Sequence, residues 1–480
     1  MSAIVGPRIS PFINTYSLDF DGVDDYVDCG DVWDLASEPY TWSPFTLSFW
    51  YKGSNPIIGS VHTKSLFEFM TNQFIGVYDG FTGAANVRMY LNFQNTGNSW
   101  VVGSNGTVDL FDNQWHNVVI VLPAGSNDGV DTGNSKMYID NTLITKAASA
   151  VITPPTAFYS WKRFKIMEGA WDPLQGTMDE VALWKTDKTS DIESIYNSGV
   201  PNDLTDLSPV AWYRMGDNGS YKSPQWLIPS NENKDKVSNY SFEFDGVDDY
   251  ISVSDNSIGQ TQNISYSIWV NLDVNTRQYI IGNQSSSNGG CGLQIESGDV
   301  LVFQMADGGN DSYFNSRVSS FSTYAPINTW SHILATWNGT DAKIYINGVL
   351  RNTWSPTLPY TISGYDTTFN IGWRSAGFSF MTNGRLDELA LFNSGISISD
   401  VWNGSGQPID VSAVSAITNY WKIGDNSTFL TNWTIPDEVG TSTGTSVNMT
   451  IEDRVGEAPN STNNALSINM DEVDRVEDTP

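Results

Sequence analysis

Basic residues are scarce in this sequence. Lys and Arg number 24 against 54 Asp and Glu, for a formal net charge of −30. Such a surface cannot neutralise phosphates, which excludes nucleic acid and anionic membranes as partners. Cysteine is nearly absent: Cys29 and Cys291 lie far apart, so no disulfide framework is expected and both are read as free, buried thiols. No run of about 18 apolar residues occurs, so no membrane insertion is expected. The opening MSAIVGPRISPFINTY has no basic stretch followed by an apolar one, and no secretory leader is expected. Histidine is also rare. With no Ser–His–Asp arrangement, no Walker loop and no Cys/His zinc spacing, nothing points to the common catalytic or metal motifs.

Aromatic residues fill part of that gap, at 13% of the chain with 18 Trp, while charged residues make up only 16%. Long runs of helix formers are missing, and the composition predicts an all-β protein with many polar loops. The chain also repeats itself. YSLDFDGVDDY (16–26) returns as YSFEFDGVDDY (240–250), and FTLSFWYKG (45–53) as ISYSIWVNL (264–272). WHNVVIVL (115–122) matches WSHILATW (330–337), KMYIDNTLI (136–144) matches KIYINGVLR (343–351), GTMDEVALW (176–184) matches GRLDELALF (384–392), and AWYRMGDN (211–218) matches NYWKIGDN (419–426). The order is kept while the spacing between copies shrinks along the chain, so the first copy carries longer loops. This pattern predicts two homologous domains rather than a solenoid of short repeats.

Each shared segment has strand character. Tyr16, Leu18 and Phe20 alternate with Ser17, Asp19 and Asp21, a period of two that separates a buried from a solvated face. Asn347-Gly348 predicts a type I′ hairpin turn, and Asp140-Asn141 is its weaker counterpart. Gly22 and Gly246 are expected to end the opening strands at tight turns. One short helix per copy is predicted, over 189–199 and 397–406. Many strands of this kind form a two-sheet sandwich or jelly roll.

A phrase such as FDGVDDYV, followed by a tryptophan strand, then YINGV, then GRLDELALF, resembles the laminin-G-like, concanavalin-A-like jelly-roll domains, over 16–218 and 240–426. The resemblance implies two curved antiparallel sheets per domain and binding of sugars or proteins, often with calcium. The ending NNALSINMDEVDRVEDTP (463–480) is similar to the ends of structural proteins from marine tailed bacteriophages. That implies a virion protein, assembled in the host cytoplasm, whose partners are other virion proteins, copies of itself, or cell-surface glycans. Assembly of that kind needs no secretory leader.

Candidate sites follow from the acids and tryptophans. Asp21, Asp24 and Asp25 in one copy, and Asp245, Asp248 and Asp249 in the other, place three carboxylates around each glycine turn. Asp179-Glu180 and Asp387-Glu388 recur in the later strand. Hard oxygen ligands of this kind suit Ca²⁺, the one cofactor considered, and if the first and last strands are neighbours the two clusters of a copy meet. Aspartate in turns also caps backbone N–H groups without any metal. Trp115, Trp212, Trp330 and Trp421 are read as core, whereas Trp42, Trp100, Trp161, Trp171, Trp354 and Trp373 sit nearer loops, with Trp171 and Trp373 the candidates for stacking on a sugar.

Glucanases of this fold carry ExDxxE on one strand, and Glu243-Phe-Asp245-Gly-Val-Asp248 echoes it. Gly246 interrupts the strand and the first copy has Asp19 in place of the Glu, so no catalytic residue is assigned and no enzyme is expected. The remaining segments are read as an N-terminal arm (1–15), a linker (219–239) partly ordered by Trp226 and Leu227, and an acidic extended tail (427–480). Within that tail, 446–453 and 465–473 have enough alternation to add to a neighbouring sheet edge.

Overall fold

The computed structural model describes residues 12–32, 44–54, 63–70, 73–78, 87–93, 96–122, 135–151, 163–168, 172–254, 262–284, 289–307, 313–356, 362–363, 365–374 and 380–480. The described residues are nearly all β. They form four antiparallel sheets, two to a unit, with the one α-helix at Ile192–Tyr196. The units are Met1–Lys234 with Asn463–Pro480, and Asp235–Thr462.

In the first unit the smaller sheet runs in the order Thr142–Leu143, Lys136–Ile139, His116–Leu122, Phe45–Lys52, Gly176–Trp184, Ser17–Phe20, Arg475–Val476, with Ala211–Tyr213 also beside Gly176–Trp184. Leu18, Phe20, Phe49 and Tyr51 of this sheet pack against Phe67, Phe69, Ile75 and Met89 of the larger one. The second unit repeats the arrangement, with Phe242, Phe244 and Ile268 against Ile281, Leu293 and Phe303. A second, smaller apolar cluster covers the outer side of each smaller sheet: Trp184, Ile192, Ile195 and Trp212 in one unit, Phe392, Val401 and Tyr420 in the other. With both faces covered, His116–Leu122 and Ser331–Trp337 are buried at every residue.

The turns are as their residues demand. Asn347 and Gly348 sit at φ 49° and 78°, and Asp140 and Asn141 at 49° and 59°, the left-handed pair that a type I′ hairpin needs. Gly22 and Gly246 have φ of 75° and 78°, and a Cβ at Gly22 would lie 2.8 Å from the Gln175 Cβ. The second predicted helix is reduced to a single 3-10 turn, Ile398–Asp400. Gly404 and Gly406, both at positive φ, end any continuation.

The linker and the tail are corrected. Ser220–Lys222 and Gln225–Ile228 form a hairpin at the edge of the first unit's larger sheet, with Trp226 and Leu227 buried. Ala465–Ile468, near the chain's end, pairs with both Gln225–Ile228 and Tyr26–Asp28, and Arg475–Val476 pairs with Ser17–Phe20. The tail adds to its own chain's sheets. In the second unit the same places are filled without interruption by Thr428–Phe429, Trp433–Ile435, Gly444–Val447 and Arg454–Val455. The hydrogen bonds repeat too. Trp226 N donates to Ser467 Oγ and its Nε1 to Asp471 O, as Trp433 does to Ser446 Oγ and Thr450 O. The whole second unit is thus inserted between two strands of the first.

Candidate functional sites

The glycine-turn acids are held mainly by backbone. Asp25 Oδ2 accepts from Asp21 N at 3.0 Å and Asp21 Oδ1 from Val23 N at 2.7 Å; Asp249 and Asp245 repeat both bonds at 3.1 and 2.7 Å. Burial, opposed by the backbone bond, lifts Asp25 and Asp249 to a pKa of about 6. Asp24 and Asp248 are exposed, and each lends its carbonyl to an Asn side chain, Asn469 or Asn448. Capping therefore holds Asp21, Asp25, Asp245 and Asp249, while the three acids of each turn also bring ligand atoms within 4.8 Å of one another.

Asp179 and Asp387 lie elsewhere. Antiparallel register sets Leu18 against Met178 and Phe20 against Gly176, so Asp179 falls beside Ser17, about 13 Å along the strand from Asp21. The two clusters of each copy do not meet. The pairing of Gly176–Trp184 with Phe45–Lys52 slips between Asp179 and Ala182, and Glu180 has φ 49°; Asn383–Phe392 repeats the bulge with Glu388 at 48°. A bulge breaks the alternation that would send adjacent side chains to opposite faces. Asp179 and Glu180 therefore gather with Asp217, and Asp387 and Glu388 with Asp425, each set offering ligand atoms within 4.8 Å of one another. Burial, then mutual repulsion, raises the Asp179 and Asp387 carboxyls well above the usual range.

The two acid sets have different partners. In the first unit Arg214 Nε donates to Glu180 Oε1 at 3.0 Å and its Nη2 lies 3.5 Å from Asp217; Trp212 Nε1 donates to Glu180 Oε2, and Asn14 to Asp179 at 2.8 Å. In the second, Ser238 Oγ lies 2.6 Å from Asp387 and 3.0 Å from Asp425, and Tyr420 donates to Glu388 Oε2. The sequence reading missed Asp217 and Asp425, although both stand in the repeated GDN triplet.

A third feature lies on the larger sheet of the second unit. Register aligns Ser252, Asn370, Gly282, Gly292, Gln304 and Asn315 in one row across six strands, on the face opposite the core row of Ile251, Ile371, Ile281, Leu293 and Phe303. A neighbouring row holds Tyr279 and Gln294. Gln294 Oε1, Gln284 Nε2 and Asn315 Oδ1 are buried atoms without a hydrogen-bond partner among the described residues. At the end of the row, half-buried Trp373 packs on Tyr250 with ring centroids 4.6 Å apart. Arg374 and Arg277 both donate to Tyr279 Oη, at 3.2 and 3.3 Å, and exposed Phe380 lies under Arg277. The result is an aromatic wall beside a row of buried amides, with the Glu296–Arg317 ion pair on the same face.

Of the other tryptophans, Trp171 lies outside the described residues, as do Trp42 and Trp161. Trp100 is buried, because it pairs with Met89 on the core side. Trp212 and Trp421 are core, but Trp115 and Trp330 are only half-buried; the Trp115 indole donates to Asp478. Glu243 and Asp245 point away from the core side of Phe242 and Phe244, on the outer face of the smaller sheet, and Glu243 stands 4.0 Å from Arg385.

A family model described as the concanavalin A-like lectin/glucanases superfamily matches residues 21–191 and again 244–401. No curated protein matches in sequence. Among solved structures, the LG4-5 domains of the mouse laminin alpha1 chain are 9% identical, covering 86% of this chain and 98% of that one with a TM-score of 0.28. A candidate carbohydrate-binding protein from Bacteroides ovatus is 13% identical, with 94% and 95% covered and a TM-score of 0.37. Domain 4 of an extracellular arabinanase from Geobacillus stearothermophilus, solved with arabinotriose, is 17% identical over 38% of this chain and 77% of that one, with a TM-score of 0.27.

Proposed function

This chain belongs to the concanavalin A-like lectin/glucanases superfamily, and on that premise we propose that it is a non-enzymatic binding protein whose second unit holds neutral glycans. The observation that carries this reading is Trp373 packed on Tyr250 beside the amide floor of Asn370 and Gln294. A sugar ring has one apolar C–H face and a rim of hydroxyls. The first stacks on an indole, and the second meets amides that can both donate and accept. Gln294 Oε1 has no partner but is buried, so it accepts from a hydroxyl only once its side chain turns outward. Against hydrolysis, the acids of the ExDxxE echo point away from this face, and the third is an exposed turn residue.

In the same reading the protein is a structural component of a virion, displayed as a head decoration, fibre or tail appendage, and partnered by other virion proteins or copies of itself. The similarity of 463–480 to phage structural proteins supports that placement. Binding of the full chain to arrayed oligosaccharides tests the first part: Trp373→Ala is expected to weaken a neutral glycan by about tenfold or more, and Tyr26→Ala to leave it unchanged. Absence of any glycan signal, or equal binding by Trp373→Ala, overturns it. Gold-labelled antibody on particles from the source tests the second part. Labelled cells with bare particles would replace the virion reading with a cellular adhesin.

A further inference from the structure

We propose that the chain modifies itself at two asparagines of the second unit, Asn338 and Asn403, each losing its side-chain nitrogen as ammonia to leave aspartate or isoaspartate. The sequence holds seven Asn-Gly pairs, with Asn at 105, 218, 288, 338, 347, 383 and 403. Glycine has no side chain to shield its backbone nitrogen, so that nitrogen can close on Cγ of the preceding Asn. Asn288 lies outside the described residues. The fold sorts the other six.

Four are held back. Asn347 Nδ2 donates to Tyr324 O at 3.2 Å and to Ser331 Oγ at 3.4 Å, while its Oδ1 accepts from His332 N at 2.9 Å. Asn383 Nδ2 donates to Asp245 O at 3.2 Å, and Gly384 is buried between two paired strands. Asn218 Nδ2 donates to Asn231 Oδ1 at 3.0 Å, and the Gly219 nitrogen is committed to Met215 O at 3.0 Å. The Gly106 nitrogen, after Asn105, is committed to Gly103 O at 2.7 Å.

Asn338 and Asn403 differ on each count. Both are exposed, as are Gly339 and Gly404. Neither glycine nitrogen donates to the backbone among the described residues. Each Asn Oδ1, by contrast, is gripped. Asn338 Oδ1 accepts from Thr340 N at 2.9 Å and Asp341 N at 2.8 Å, and Asn403 Oδ1 accepts from Ser405 N at 2.9 Å and from Ser405 Oγ. Attack on Cγ turns this oxygen into an oxyanion, and two donors already face it. The glycine nitrogen loses its proton and bonds to Cγ. The oxyanion then collapses, and the side-chain nitrogen takes up that proton and leaves as ammonia. Water opens the resulting five-membered imide at either carbonyl, giving aspartate or isoaspartate. Each event consumes one water and adds one negative charge. The first unit lacks the pair at the matching place: Tyr196 stacks on Trp50 as Trp402 does on Trp269, but Asn197 is followed by Ser198.

The test incubates the full folded chain at mildly alkaline pH in ¹⁸O-enriched water, beside a sample in urea, and follows each peptide by mass spectrometry over days. In urea all seven pairs are expected to convert at similar rates. In the folded chain Asn338 and Asn403 are expected to convert at least about tenfold faster than Asn218, Asn347 and Asn383, each taking one heavy oxygen from water. Gly404→Ser, the first unit's residue, is expected to arrest Asn403. Ser405→Ala removes one oxyanion donor and is expected to slow Asn403 severalfold. Asn338 keeps its rate in both variants. The proposal is overturned if Asn338 and Asn403 stay intact while the urea sample converts, or if Asn347 or Asn383 keeps pace with them. It is overturned equally if Ser405→Ala leaves Asn403 as fast as before.

Discussion

Asn370 and Trp373 in the second unit occupy the places held by Lys165 and Glu168 in the first, one and four residues after the matching Phe369 or Phe164. Lys165 donates to Glu168 at 2.6 Å and lies over the Tyr26 ring, the counterpart of Tyr250; Arg163 pairs with Asp28, the counterpart of Ser252. At these positions the first unit therefore has internal ion pairs, where the second has Trp373, Asn370 and Ser252. The bulge acids show the same contrast, with Arg214 present on one side and no paired cation on the other. Two copies of one fold have kept the scaffold and changed the polar groups set on it.

The largest test of that contrast removes the chain's end. A chain ending at Thr462 lacks Ala465–Ile468, which is paired on both sides, and the buried Met470. The first unit is expected to lose its cooperative transition, while the second, complete within Asp235–Thr462, keeps its own. Two transitions in scanning calorimetry, or one, decide the matter. Next in size is Arg214→Met, which strands Glu180 and Asp217 without their cation. It is expected to destabilise the first unit by roughly 3–5 kcal/mol and to leave the second unit's transition in place.

Smaller effects come from pH. Burial works against the charged form of His116, but hydrogen bonds to Asp140 at 2.6 Å and Asp112 at 3.1 Å outweigh it and raise its pKa. A raised folded pKa gives stability that is present below the ordinary histidine value and lost as pH rises through the raised one. His332, closed in between Trp269 and Trp402, is pushed down to about 3 by burial, so its contribution is present above about 6.5 and lost as pH falls from there. Comparing each transition with that of His116→Asn or His332→Asn between pH 5 and 8 isolates the two terms, and they should have opposite signs. The smallest expected effect is a gain: Lys165→Asn with Glu168→Trp should give the first unit weak glycan binding, measurable on the array that serves the second.

Much of the fold was legible in the chain. The repeated phrases, the period-two alternation of Leu18 and Phe20, and the Asn347-Gly348 turn all depend on local chemistry, and each stands where the residues put it. The closing strands were legible only in part. They are two to four residues long; alternation in 446–453 and 465–473 suggested strand but not which sheet they join, although NMTIEDRV (448–455) against NMDEVDRV (469–476) was a repeat waiting to be read. For the sites, the acids of the turns and bulges could be found by eye, but their grouping could not.

The sequence by itself determined the two sandwiches, their turns and the acid-rich positions, because side-chain period and backbone preference act over a few residues. Only the tertiary structure decided that the second unit is inserted within the first, since that rests on Ala465–Ile468 pairing with Tyr26–Asp28 and Gln225–Ile228, strands far earlier in the chain. It alone brought Asp425 to Asp387 and Glu388, through a bulge that no spacing reveals. It also decided which carboxylates meet a cation and which do not, because that depends on whether a side chain from another strand reaches them.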